Sequence, residues 1–253
     1  MTEMTHESIH EEIHMPGPSF WPLVLAFGML VFAAGMISKD MRLIIAPVGA
    51  AILAVGVAGW LTGNIRERMH GPTLAGDSKL AIWMFLGSEV LFFTGLIATF
   101  LLIRARAPAD VAHALNIPLT ALNTFVLLTS SLTAVMAHDS AVKGNRSRLI
   151  LFLALTAVLG AAFVSVQGYE YTRLYAEGLQ WTNIPYGTAF FTLTGFHGTH
   201  VIVGIIWCLA VLGGAARGVF GKGHYGGVEN FGLYWHFVDI VWILLFTLIY
   251  LMQ

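Results

Sequence analysis

The sequence predicts an all-α membrane protein, and three observations support that class. Hydrophobic residues make up 57% of the chain and charged residues only 11%, whereas about a quarter of residues are charged in soluble domains. The mean hydropathy is +0.76. Seven stretches approach the roughly 20 apolar residues that a helix needs to cross the hydrocarbon core. Because only helices and closed barrels satisfy their backbone groups in lipid, these stretches predict a bundle of seven transmembrane helices.

The connections between the predicted helices carry most of the charges and the helix-breaking residues. The helices cover 20–38, 43–62, 80–103, 117–138, 148–168, 187–214 and 230–252. We expect the second connection, 63–79, to separate a two-helix unit, 20–62, from a five-helix bundle, 80–253, with a polar tail, 1–19, in front. Eight of the 13 basic residues lie in connections on the side of the N-terminus. Since basic residues favour the cytoplasmic side, the N-terminus is expected inside and the C-terminus outside.

Composition excludes several classes of function. The net charge of −1 and the pI near 6.8 leave no basic surplus for a nucleic-acid partner. The chain has one cysteine, Cys208, and therefore no internal disulfide. His6, His10 and His14 recur every fourth residue in the polar tail, which raises a metal site as a hypothesis. A solvated tail is the alternative that such a composition favours.

A few ionisable residues fall inside the predicted spans, where each costs about 2.5–3.5 kcal/mol on insertion scales and normally finds a partner. Glu89 lies in the third predicted helix and His200 in the sixth. At 1.5 Å per residue, both fall within a few ångströms of the membrane midplane, so we expect them to pair. The pair has two interpretations that the sequence leaves open, a structural polar contact and a proton-handling site.

Histidines in the last two predicted helices raise the question of a metal or haem site. His197 and His200 are three residues apart and share a helix face, as do His236 and Asp239. A four-ligand site built from these residues is geometrically conceivable.

Glycines argue against that metal site. Gly195, Gly198 and Gly204 crowd the sixth predicted helix, a composition that favours close helix packing. The remaining interpretation is that His236 and Asp239 bond each other or a neighbouring helix and lock the last helix into the bundle. We therefore predict no metal site, and assign these two residues together with His197 a structural role inside the membrane.

Six segments, in order along almost the whole chain, resemble subunit III of the haem-copper cytochrome c oxidases. They are PSFWPL (18–23), NIRE (64–67), SEVLFF (88–93), QGYEY (167–171), FHGTHVIVG (196–204) and HYGGVENFGLYWHFVDIVW (224–242). The resemblance implies an integral accessory subunit that packs against subunit I and belongs with subunit II. Electrons then pass from cytochrome c to dioxygen with proton pumping, while haem and copper lie in the partner subunits. This subunit would bind no cofactor except structural phospholipid and would have no catalytic residue.

The resemblance also implies roles for individual residues. Glu89 matches the family's intramembrane carboxylate, which supports proton uptake by subunit I, with His200 as its expected partner. The first two helices would lean away from the other five and leave a cleft that holds phospholipid. Four residues are candidates for the lipid site: Trp60, Arg66, Glu67 and His224. Two departures from the family bear on it, since 69–78 lacks adjacent histidines and GKGHYGG has a single one.

Rival functions remain at this point. Subunit III of a quinol oxidase, or the related subunit of nitric oxide reductases, is the nearest, although those relatives often have only the last five helices. A stand-alone proton or ion channel would explain Glu89 and the histidines, but long apolar gaps separate the polar residues. No inverted-repeat pattern of broken helices indicates a transporter. Because the N-terminus is not Arg-rich and Ser-rich, we expect a bacterial plasma membrane, with the mitochondrial inner membrane as the alternative.

Overall fold

The computed structural model describes residues 20–37, 42–68, 75–106, 115–181, 184–220 and 225–252, and the regular structure in these ranges is helical. The α-helices are α1 (Trp21–Ile37), α2 (Arg42–Arg68), α3 (Ala75–Arg104), α4 (Ile117–Val142), α5 (Arg146–Ala176), α6 (Pro185–Ala216) and α7 (Gly226–Phe246). A π-helical turn, Thr247–Leu251, continues α7 directly. The predicted all-α class and the seven helices are confirmed.

Helices α3 to α7 are each long and apolar enough to cross a membrane. Within the described residues, α1 and α2 contain shorter apolar stretches, Trp21–Phe32 and Ile44–Trp60. The chain is therefore an integral membrane protein on the strength of five spans. That the first two helices also cross the membrane stays a prediction.

Several helices extend beyond the predicted ends. Helix α2 continues to Arg68 and α3 begins at Ala75, so both enter the predicted connection 63–79, and α5 continues to Ala176. The reason is physical, because apolarity marks the part of a helix that lies in hydrocarbon, whereas backbone hydrogen bonds continue through polar residues outside it. The start of α5 follows local capping instead, because Asn145 Oδ1 accepts from the backbone N–H of Arg148 at 3.2 Å.

The chain divides into two compact units, Met1–Leu74 and Ala75–Gln253. In the first unit, α1 packs on α2 through glycines. A Cβ atom added at Gly49 would collide with the backbone of Phe32, so only glycine allows this approach.

In the second unit, α7 is the inner helix. Helix α4 packs on α5 and α7, while α6 packs on α3, α5 and α7. Trp235 of α7 is 1% exposed and wedges between Gly160 of α5 and Gly204 of α6. Its indole N–H donates to Ser130 Oγ of α4 at 3.0 Å. One side chain thus joins four helices and fixes their spacing.

The three glycines of α6 differ in how closely other helices of this unit approach them. At Gly204 an added Cβ would lie 2.7 Å from the Trp235 ring, so close packing is confirmed there. At Gly198 no described atom lies within 4 Å of that position, and at Gly195 the only neighbour is the Tyr171 hydroxyl at 3.9 Å. For these two residues close packing stays a prediction, because no described helix of this unit fills the space beside them.

Candidate functional site

The predicted pairing of Glu89 with His200 is present in the structure. Helix α3 carries Glu89 and α6 carries His200, and these helices pack against each other. Glu89 Oε2 lies 3.1 Å from His200 Nε2. The two side chains are 18% and 17% exposed, so the pair is mostly buried yet reaches the surface of the chain.

A backbone contact fixes the proton arrangement of this pair. His200 Nδ1 lies 2.7 Å from the carbonyl oxygen of Phe196. Because a carbonyl only accepts hydrogen bonds, Nδ1 carries a hydrogen and donates it. The contact between Nε2 and Glu89 then requires one proton between them, either on a carboxylic acid that donates to a neutral imidazole or on an imidazolium that donates to a carboxylate. Both forms are neutral overall.

Aromatic side chains hold the pair in place. The Phe93 ring packs edge-on against the His200 ring with centroids 5.1 Å apart. The Tyr234 hydroxyl of α7 donates to the His200 carbonyl at 2.9 Å. Among the described residues, no further ionisable side chain hydrogen-bonds to Glu89 or His200 side-chain atoms. The site is therefore a hydrogen-bonded Glu–His pair that joins α3 and α6 beside aromatic side chains.

The structure shows whether His236 bonds Asp239 or a neighbouring helix. His236 Nδ1 lies 2.6 Å from Ser131 Oγ of α4, so His236 bonds a neighbouring helix, and no hydrogen bond joins it to Asp239 among the described contacts. Asp239 is 6% exposed, and its Oδ1 has no hydrogen-bond partner in the described part of the chain.

His197 lies in the centre of the bundle and is fully buried. Its ring stacks on Trp242 with centroids 4.9 Å apart and meets Phe163 edge-on at 6.0 Å. Neither ring nitrogen has a hydrogen-bond partner among the described residues. The described contacts of the His197 ring are therefore packing contacts with aromatic rings.

The hypothetical four-ligand site is not assembled. Over the described ranges, no three His, Cys, Asp or Glu side chains come together in a way that would hold a metal ion. His6, His10 and His14 lie outside those ranges.

The lipid candidates are described only in part. Trp60 lies on α2 and is 42% exposed. Arg66 and Glu67 belong to the last turns of α2, which places NIRE within the helix rather than after it. The side chains of Arg66 and Glu67, and the whole of His224, lie outside the described residues.

A further buried carboxylate was not predicted from the sequence. Glu170 of α5 is 4% exposed. Its Oε1 accepts from the Thr120 hydroxyl of α4 at 3.0 Å, and its Oε2 accepts from the Tyr250 hydroxyl at 3.1 Å. Tyr250 belongs to the π-helical turn that follows α7. Arg104 at the end of α3 donates to the carbonyl of Leu248 in the same turn at 2.5 Å.

The sequence did not predict that Glu170 is buried in a helix, because the fifth helix was predicted to end at 168. The hydropathy signal fades before Glu170, although the helix continues to Ala176. The available signal was QGYEY (167–171), a polar segment that continues an apolar helix. Together the carboxylate and Arg104 tie α3, α4, α5 and the π-helical turn at one end of the bundle, which indicates a structural role.

Replacing Glu170 with Leu should destabilise the second unit by about 1–3 kcal/mol, because the buried Tyr250 hydroxyl loses its acceptor. Adding Tyr250→Phe removes the orphaned hydroxyl and should recover part of the loss. Thermal unfolding of the purified protein would measure both effects. Glu177→Leu is the control, since Glu177 is exposed and its ion pair with Arg173 is worth at most about 1 kcal/mol. Equal losses for Glu170→Leu and Glu177→Leu would contradict the assignment.

Five helices long and apolar enough to span a membrane, with a mostly buried Glu–His contact between α3 and α6, define a polytopic integral membrane protein. The family model described as cytochrome c oxidase subunit III matches residues 11–253. The chain belongs to the cytochrome c oxidase subunit III family.

Individual relatives agree with that assignment. The protein named cytochrome c oxidase subunit 3 from Balaenoptera musculus is 33% identical over 264 residues, which cover 98% of each chain. The protein of the same name from Pelomedusa subrufa is 32% identical over 256 residues, covering 94% of this chain and 95% of the relative. That from Loxodonta africana is 32% identical over 266 residues, or 98% of each chain. The chain is thus an oxidase subunit of the respiratory chain, in a complex with other oxidase subunits, and the quinol-oxidase alternative is not favoured.

Proposed function

We propose that this chain is an accessory subunit III that stabilises subunit I of a haem-copper oxidase and supports its proton uptake. The observation that carries the proposal is the Glu89–His200 pair, which holds one proton between α3 and α6. Electrons pass from cytochrome c to dioxygen in the complex. Haem and copper belong to subunits I and II, and this subunit supplies no catalytic residue.

Low polarity around the pair explains how it would act. Charge is costly to create in hydrocarbon, so a site that is neutral in both of its forms is stable there. Glu89 and His200 exchange one proton between them without changing the net charge. Since each side chain is nearly a fifth exposed, a donor and an acceptor outside the chain can reach the pair. When the pair gives its proton to a neighbouring subunit and takes a replacement from an outside donor in the same step, it returns to its neutral form, so it can relay a proton without a lasting charge.

The same proposal includes structural phospholipid near the end of α2. A tryptophan and a basic residue near a helix end suit the interface between hydrocarbon and head groups, where Trp60 offers an amphipathic ring and Arg66 a partner for phosphate. Glu67 and His224 complete the proposed site. The alternative is that Arg66 only contributes to the excess of basic residues on the cytoplasmic side. In that case replacing Arg66 would cause no loss of bound lipid.

We also propose an orientation with the N-terminus inside, in a bacterial plasma membrane. The distribution of basic residues supports the orientation. The vertebrate relatives named above lend no support to the bacterial location, and the mitochondrial inner membrane is its alternative.

The orientation predicts opposite labelling of the two ends of α5. A cysteine at Ser147 should react with a membrane-impermeant thiol reagent from the cytoplasmic side only, and a cysteine at Ala176 from the other side only. Both positions are exposed, whereas Cys208 is fully buried and contributes little background. Labelling in sealed vesicles of the two orientations measures this. The reverse pattern would overturn the proposed orientation.

Affinity purification from the native membrane tests the function itself. The tagged chain should bring two larger subunits, haem absorbance in the reduced-minus-oxidised spectrum, and oxygen consumption driven by reduced cytochrome c. If only quinol supported oxygen consumption, quinol would replace cytochrome c as the proposed electron donor. A colourless chain without partners, under conditions that preserve complexes, would contradict it and lead to proton-flux measurements in liposomes.

A further inference from the structure

Hydroxyl side chains lie along the whole of α4, and one of them differs from the rest. The others each donate a hydrogen bond to a backbone carbonyl three or four residues earlier in the same helix, which satisfies a hydroxyl inside a helix. They are Thr120, Thr124, Thr129, Ser130, Thr133 and Ser140. Ser131 makes no such bond among the described contacts, so its hydroxyl is available to side chains of another helix.

Two side chains of α7 lie next to that hydroxyl. Ser131 Oγ is 2.6 Å from His236 Nδ1. Ser131 is also a side-chain hydrogen-bond partner of Asp239. Because His236 and Asp239 are three residues apart on a helix, they share a face. Ser131 therefore stands between an imidazole and a carboxyl group that do not bond each other directly among the described contacts.

The two groups beside Ser131 differ in their burial. Asp239 is 6% exposed, and its Oδ1 is fully buried without a hydrogen-bond partner among the described residues. An ionised carboxylate with a bare oxygen is costly at membrane depth, whereas a neutral carboxylic acid needs fewer hydrogen bonds. This environment therefore favours a protonated Asp239. His236 is partly exposed, so its ring reaches the surface of the bundle.

Hydrogen-bond chemistry allows a proton to move along these three side chains. A protonated Asp239 donates to Ser131 Oγ, and Ser131 donates its own hydrogen to the lone pair of His236 Nδ1. When the O–H bond of Asp239 breaks, its proton forms a new bond with Ser131 Oγ, and the former Ser131 hydrogen forms an N–H bond at Nδ1. The products are a carboxylate, an unchanged hydroxyl and an imidazolium. The net charge stays zero throughout.

We propose that Asp239, Ser131 and His236 form a further proton-holding site of this chain. Asp239 stores a proton inside the bundle, Ser131 passes it on, and His236 exchanges it at the surface. A turn of the imidazolium ring brings the transferred proton outwards, where a proton from water replaces it, and the reverse transfer returns a proton to Asp239. The site goes beyond the structural role of bonding α7 to α4, because a structural contact needs no transferable proton.

Water reaches His236 from the end of the bundle at which α4 ends and α7 begins. His138 lies about 6 Å from the end of α4, at 1.5 Å per residue, and acts on His236 electrostatically. Its Nε2 is buried and has no hydrogen-bond partner among the described residues. Glu89, His197 and His200 also lie beside α7, on α3 and α6, and no described hydrogen bond joins them to this site.

Infrared spectroscopy of the intact complex, purified on the tagged chain, tests whether Asp239 holds a proton. A protonated carboxyl group has a carbonyl stretch that a carboxylate lacks, and subtracting the spectrum of Asp239→Asn isolates the contribution of Asp239 from other carboxyl groups. We expect an acid band in the wild type that shifts when water is replaced by deuterium oxide. Absence of this band at neutral pH would overturn the proposal, because the site would hold no proton.

The rate of the deuterium shift tests the route through Ser131. Ser131→Ala removes the hydroxyl, and exchange at Asp239 should slow by about a hundredfold, the lower end of what a positioned proton-transfer group contributes. Ser131→Thr keeps a hydroxyl and should exchange at close to the wild-type rate. Thr129→Ala is the matched control, because it removes a neighbouring hydroxyl that donates to the Phe125 carbonyl. Equal rates in Ser131→Ala and Thr129→Ala would overturn the route.

His236→Gln separates proton transfer from hydrogen bonding, and it keeps the test decisive if Ser131→Ala prevents assembly. The Gln amide can still bond Ser131, so the contact between α7 and α4 is kept, but it cannot take up a proton. Exchange at Asp239 should slow as it does in Ser131→Ala, and an unchanged rate would overturn the role of His236. If the tagged chain brought no oxidase subunits, the proposed function would fail, while the acid band could still be measured on the chain itself.

Discussion

Replacing Glu89 with Gln should leave the oxidase assembled but lower its sustained proton uptake. We expect a decrease of at least about fivefold, which is the lower end of the range by which two coupled sites affect each other. The Gln amide can still donate to His200 Nε2, so the contact between α3 and α6 survives. The Gln amide has no carboxyl proton to give to His200, so the form of the pair with a carboxylate and an imidazolium is lost. Proton uptake per turnover in vesicles, together with the rate of inactivation during turnover, measures the effect.

The control for Glu89 is Glu177→Gln, which removes a carboxylate from an exposed ion pair with Arg173. It should change neither quantity. His200→Gln should resemble Glu89→Gln, and the double variant should be little worse than either alone, because both residues hold the same proton. A severe assembly defect in Glu89→Gln would show that the carboxylate is structural, and additive losses would show that the two residues act separately.

Replacing Trp235 with Ala should lower the free energy of unfolding by about 3–5 kcal/mol, the cost of removing a large side chain from a packed core. The space between Gly160 and Gly204 would empty, and Ser130 would lose the indole N–H. The protein carries its own probe, because Cys208 is its single cysteine and is fully buried. Reaction of that thiol with a fluorogenic reagent during heating should begin at a clearly lower temperature.

Trp83→Ala is the matched control for the tryptophan wedge. Trp83 is 55% exposed on α3, so its removal leaves no cavity in this chain. The onset of thiol reaction should stay close to that of the wild type. If the two alanine variants melted together, Trp235 would not be the element that sets the spacing of the four helices.

Local chemistry explains which features were predictable. The apolar stretches predicted seven helices, because a hydrophobic run of this length forms a helix in lipid whatever surrounds it. The contact of Glu89 with His200 was predictable for a related reason: ionisable groups at similar depth in a membrane have few alternative partners. Helix ends were less accurate, since α2 and α5 continue through polar residues where hydropathy gives no signal.

The sequence by itself determined the class, the number of helices, the family resemblance and the pairing of Glu89 with His200, all of which depend on residue type and depth. Tertiary structure alone decided which neighbour each side chain meets. His236 bonds Ser131 rather than Asp239, Glu170 joins Thr120 to Tyr250, and Gly204 is filled while Gly198 stays open. The physical reason is that these outcomes depend on the rotation and spacing of packed helices, and no property of a single helix sets either.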